Sequence, residues 1–172
     1  MTGGGAEDGV ENGAARGLER GGAPVGQIGH LGPVEAGAVL YLRLWSDGPA
    51  GQRDARADFD LALGRDGAEA ALAALGGLCD LCARHGRRPL VRHALTCRCI
   101  GADESCFATL VAAATEGARE DAMLLAALLV RADMAPALTD LAQRFGLALR
   151  RMACAAPPAA TPPAPAPARH LH

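Results

Sequence analysis

The stretch Asp103–Gly117, DESCFATLVAAATEG, decides the fold class. It places Phe107, Leu110, Val111 and Ala114 at i, i+3, i+4 and i+7, the spacing that gathers apolar side chains on one face of an α-helix. Asp103 supplies a start and Gly117 a stop. The same period extends in both directions. Upstream, Val34–Trp45 sets Ala38, Tyr41, Leu42 and Trp45 on one face, and Asp47-Gly48-Pro49 ends it. Gln52–Leu63 carries a narrower stripe of Ala55, Phe59 and Leu63, stopped by Gly64. Asp66 and Glu69 then form a capping-box pair for a long helix to about His85, with Gly76-Gly77 as a kink or close-packing point and Gly86 as its end. Pro89 suits the first turn of a short helix to about Cys97.

Downstream, Glu120 and Asp121 fit the positive end of the next helix. Its stretch Met123–Val130 is apolar around most of its circumference and is expected at the centre. Asp133 caps a last helix in which Leu138, Leu141, Ala142, Phe145, Leu149 and Met152 share a face. With no hairpin signal and no internal repeat, the expected architecture is all-α, an irregular bundle of six or seven helices.

The ends differ from this middle. Residues 1–32 are glycine-rich and carry Glu7, Asp8, Glu11 and Glu19, too little apolar surface to offset the entropy of ordering. Residues 153–172 form an alanine- and proline-rich tail that favours extended chain. The helical domain is therefore placed at 33–152, between two disordered tails. The opening lacks the basic start and apolar run of a secretory signal, and the apolar window Ala122–Val130 is too short to span a bilayer. A cytoplasmic protein with no membrane contact is expected. The chain has 172 residues, half of them hydrophobic, with 17 basic against 19 acidic residues. That balance gives no whole-molecule case for a nucleic-acid or anionic-membrane partner.

Chemistry is concentrated between Cys79 and Cys106, which hold five of the six cysteines and two of the five histidines. In a reducing compartment these are thiols, free to hold a metal or act in redox chemistry. His93 and Cys97 share a face of the expected short helix. Cys99 follows in a loop and Cys106 lies in the next first turn. His93, Cys97, Cys99 and Cys106 are thus the preferred ligands of a soft metal, zinc in the first instance. An alternative pairs Cys79 and Cys82 with Cys97 and Cys99, although a CxxC inside a helical pattern also reads as two small buried hydrophobes. Arg92, Arg98 and His93 flank Cys97 and Cys99 with cations that favour thiolate, which makes a redox-sensitive thiol a third use of the same residues.

Arg84, Arg87, Arg88, Arg92 and Arg98 form a basic patch without an intervening acid. It suits an anion or an acidic partner; the competing expectation is pairing with Asp103, Glu104, Glu116, Glu120 and Asp121. Leu141-Ala142, Gly146, Leu147 and Met152 loosely resemble a DNA-binding helix-turn-helix, with the turn at Gly146. No nucleophile, base and oxyanion site can be assembled, and the glycines of the N-terminal segment precede no strand that would make a phosphate loop. The expected role is a non-enzymatic interaction or regulatory protein that meets a protein partner or a second copy of itself. A metal or thiol sensor and a DNA-binding regulator are the alternatives.

Overall fold

The computed structural model describes residues 20–155. In chain order they form strand β1 (Pro24–Gln27), a 3-10 turn (Ile28–His30), α1 (Pro33–Ser46), α2 (Pro49–His85), strand β2 (Cys99–Gly101), α3 (Ala102–Glu116), α4 (Arg119–Leu129), a second 3-10 turn (Ala132–Met134) and α5 (Ala135–Ala155). The class is all-α, as expected. Gly64, at φ 71° and ψ 169°, breaks α2 into two rods, so the aliphatic periods before and after it are separate, as the sequence implies. Gly117 adopts the left-handed conformation at φ 85° that ends α3, and the next amide, Ala118 N, bonds back to Ala113 O at 2.9 Å.

The core is built from the stripes read in the sequence. Phe107, Leu110, Val111 and Ala114 of α3 are buried together with Phe59, Leu75, Leu78, Leu138 and Phe145. Where α1, α2 and α5 meet, Tyr41 stacks on Phe59 with centroids 4.6 Å apart, and Phe59 meets Phe145 at 6.3 Å, both pairs tilted. Small residues set the helix approaches. A Cβ on Gly77 would lie 3.0 Å from Leu141, and one on Gly76 3.1 Å from the Trp45 ring, so this glycine pair is a packing point.

Several expectations are corrected. The central helix is α5, which packs against all four others; α4 lies at the edge. It buries Ala122 and Ala126 and leaves Leu124 and Leu128 70% and 67% exposed. An alanine face permits close approach to α3, so the larger leucines turn outward. No helix forms over 89–97, which is irregular chain. Helical backbone resumes directly after Gly64, which puts Asp66 inside the first turn. Asp133 sits in a 3-10 turn and pairs with Arg131 at 2.7 Å.

The folded region also begins earlier than residue 33, because residues 24–27 pair antiparallel with Cys99–Gly101, with an irregularity between Pro24 and Gly26. The remainder of the two expected tails, residues 1–19 and 156–172, lies outside the described residues. The turn expected at Gly146 does not form: α5 runs unbroken through it, so residues 141–152 are not a helix-turn-helix. Among the described residues no helix is long and apolar enough to cross a membrane.

Gly146 is instead a crossing point, where a Cβ would run into the Thr115 hydroxyl and Val111 of α3. Gly→Ala inside a helix ordinarily stabilises by about 1 kcal/mol. Here Gly146→Ala is expected to reverse that sign and destabilise by about 1–3 kcal/mol through overpacking, read from urea unfolding followed by far-UV circular dichroism.

Candidate metal and thiol site

The site is organised by a charge that the apolar face of α1 takes inside. Arg43 follows Val39 by one helical turn and is 3% exposed. A guanidinium has five N–H donors in a planar fork, and here it makes five bonds. Nε and one terminal nitrogen grip both oxygens of Glu104 at 2.6 and 2.7 Å. The others reach the carbonyls of Ala94 (3.1 Å), Cys97 (2.6 Å) and Cys99 (2.7 Å). Glu104, fully buried, also accepts the backbone N–H of Gly101 at 2.9 Å and of His93 at 3.0 Å. Burial alone would raise its pKa. The Arg43 hydrogen bonds and the Gly101 and His93 amides outweigh that and hold it below the usual glutamate value.

Asp103, next in the same first turn, accepts Val91 N–H at 2.9 Å and a two-bond grip from Arg88. Alternate amides, Val91 and His93, therefore point at consecutive carboxylates of one helix start. Extended chain offers its N–H groups with that period of two, whereas a helix directs them along its own axis. This is why Pro89 does not open a helix: the segment's donors and acceptors are satisfied from α1 and α3.

The arrangement presents His93, Cys97 and Cys99 to a common point. Their ligand atoms lie within 4.8 Å of one another and all three residues are partly buried. His93 Nε2 lies 2.8 Å from the Gly22 carbonyl, which can only accept, so Nε2 carries the proton. Nδ1 then turns a lone pair toward the sulfurs of Cys99 at 3.0 Å and Cys97 at 3.4 Å. A histidine anchored by one ring N–H on a backbone carbonyl, with the other nitrogen free, is prepared as a metal ligand. The structure joins the two sulfurs as a disulfide, with Cα atoms 5.5 Å apart. The expectation that all six cysteines are thiols thus changes for this pair, and on reduction the trio would offer one imidazole nitrogen and two sulfurs.

Cys106 is not brought to this point. It lies on the α4 side of α3, its sulfur 3.9 Å from the Leu125 carbonyl, and lines a small cavity with Cys82. Cys79 and Cys82 also stay apart from Cys97 and Cys99; burial pushes their pKa values up to about 12 and about 11, so both behave as apolar thiols.

The basic patch divides. Arg88 pairs with Asp103, and Arg84 with Asp80 at 2.6 Å. Arg87 bonds the Ala127 carbonyl at 2.8 Å, and Arg92 the Leu90 carbonyl at 3.3 Å. The exposed Arg98 contributes its carbonyl, which accepts Ile28 N–H at 2.9 Å. Of the acids expected as partners for this patch, Asp103 fills the role; Glu104 belongs to Arg43. Arg43 and Gly22 escape sequence reasoning, and Glu104 enters it as a partner for other arginines. The available signal was an arginine in phase with the stripe Ala38, Val39, Leu42.

Glu104→Gln leaves the Arg43 charge buried without its counter-charge and is expected to cost about 3–5 kcal/mol in urea unfolding. The double variant Arg43→Met/Glu104→Leu removes both charges but strands the carbonyls of Ala94, Cys97 and Cys99, so it should recover only part of that loss. Full recovery would mean that these carbonyl contacts contribute nothing. No protein-family model, curated protein or solved structure matches this chain.

Proposed function

We propose that this chain is a small regulatory domain, without catalysis of its own, that senses a soft metal ion or an oxidant through His93, Cys97 and Cys99. The observation that supports it is the His93 ring, held by Gly22 so that its free nitrogen faces both sulfurs. With the cysteines reduced, one imidazole nitrogen and two thiolates suit zinc or copper(I). Copper(I) is satisfied by three such donors; zinc takes a fourth from water or from a partner.

Oxidation uses the same sulfurs. A peroxide is attacked by one thiolate, its O–O bond breaks to give a sulfenic acid, and the second thiolate displaces that oxygen as water while the S–S bond forms. In sum two thiols and one hydrogen peroxide give one disulfide and two waters. The bonded sulfurs no longer serve as thiolate ligands, so metal occupancy and oxidation exclude one another.

The route outward is short. Cys99 opens β2, and the Gly22 carbonyl that anchors His93 lies just before β1, so a change at the sulfurs bears directly on the pairing of the N-terminal segment. A protein partner or a second copy of the chain is the expected reader of that change.

Metal analysis of reduced, untagged protein tests this, with His170 and His172 replaced by alanine so that they do not scavenge ions. Stoichiometric zinc or copper is expected to withstand buffer exchange, to be expelled by hydrogen peroxide, and to be absent from Cys97→Ser and Cys99→Ser. Binding should raise the unfolding temperature of the wild type alone. No stoichiometric metal, together with an unfolding temperature that metal leaves unchanged, would remove the metal reading; a Cys97–Cys99 pair that peroxide fails to oxidise would remove the thiol reading.

A further inference from the structure

Beside the metal and thiol site runs a cleft that the proposed function does not use. It lies between the end of α1 (Leu42, Ser46), the last turns of α2 (Cys79 to Ala83) and the irregular segment from Gly86 to Arg92, and has a volume of about 740 Å³. A further recess of about 200 Å³ adjoins it through Cys82, Arg88 and Leu90 and is closed by Cys106 and the leucines at the end of α4. Together they fall in the size range of small-molecule sites, which are largely apolar with a few converging polar groups.

The lining has that character. Leu42 and Leu90 supply apolar surface, and Cys79, Cys82 and Cys106 add thiols that burial keeps protonated. Positive charge is left over at the rim. Among the described residues, the acids that line the two cavities are engaged, Asp80 with Arg84 and Asp103 with Arg88, and Glu104 nearby is held by Arg43. Arg87 and Arg92 line the cleft and, among the described residues, neither makes an ion pair. Each spends part of its fork on backbone carbonyls and keeps terminal N–H groups for another acceptor. Arg92 is exposed, yet close enough to Cys79 for its charge to act on that thiol.

Two arginines that make no ion pair among the described residues, lining a cleft that also offers apolar surface, match one ligand chemistry. From this juxtaposition we infer that the cleft binds a small amphipathic anion, with a carboxylate or phosphate headgroup on Arg87 and Arg92 and a short hydrocarbon body along Leu42, Leu90 and the cysteines. Guanidinium forks pair with either headgroup through two hydrogen bonds. The inference stands apart from the metal reading, because none of His93, Cys97 and Cys99 lines the cleft.

Titration calorimetry of the full chain tests it with four probes below their aggregation limits: octanoate, octyl phosphate, inorganic phosphate as headgroup alone and octanol as body alone. Saturable, stoichiometric binding of octanoate or octyl phosphate is expected, with phosphate and octanol each weaker by about tenfold or more. The tighter of the two amphiphiles identifies the headgroup. Arg92→Gln changes an exposed side chain and should weaken binding about tenfold with an unaltered circular dichroism spectrum. Ala83→Trp, placed from an exposed position of α2 into the cleft, should abolish binding while the protein remains folded. The inference is overturned if neither amphiphile saturates, if phosphate alone binds as tightly, or if both variants bind like the wild type.

Discussion

The buried pair of Arg43 and Glu104 is the interaction on which the candidate site depends. Taking two charges out of water is costly, and such a pair roughly balances its own desolvation only when every remaining donor and acceptor is used. That condition is met here. Arg43 uses its fork on Glu104 and three carbonyls, and Glu104 adds two amides. Among the described residues the buried side-chain polar atom left without a partner is the Thr139 hydroxyl, on α5 and outside this network. The pair's contribution is therefore specificity of conformation: it fixes where residues 93–101 lie.

Everything near the sulfurs follows from that placement. The three carbonyls that Arg43 holds belong to Ala94, Cys97 and Cys99, so the backbone at both cysteines is pinned, while Glu104 pins the backbone of His93. Asp103 and Arg88 brace the segment one step earlier, and Gly21 packs so tightly under them that a side chain there would strike the ion pair. The N-terminal strand can then pair with Cys99–Gly101 and offer the Gly22 carbonyl to the His93 ring. The same bracing explains the cleft. By engaging Asp103 and Glu104 internally, the fold leaves Arg87 and Arg92, which line it, without an ion pair among the described residues.

The helices were legible because their information is local. Phe107, Leu110, Val111 and Ala114 repeat with helical period and all are buried, and Gly64 and Gly117 stop helices where only glycine readily adopts the required backbone. The soft-donor cluster was legible as a concentration of residue types, which brought His93, Cys97 and Cys99 into view. Its geometry was not, because the bonds that shape residues 87–98 come from Arg43, more than fifty positions earlier, and from carboxylates that read equally well as helix caps. Proximity in sequence groups Cys106 with the others, yet the phase of α3 turns it toward α4. Met123–Val130 misled for a related reason: an all-round apolar helix does not say which side packs, and the alanine side won by allowing closer approach. Strand β1 lacked a local signal, since its partner lies over seventy residues away.

The backbone amides of His93 and Gly101 report on the central interaction most directly. Hydrogen exchange followed by nuclear magnetic resonance should find both protected to the level of the core amides of α3, because each donates to a buried carboxylate and opens only when the Arg43–Glu104 pair opens. Exchange of these two amides at the rate of exposed, irregular chain, with the α3 core still protected, would contradict the account.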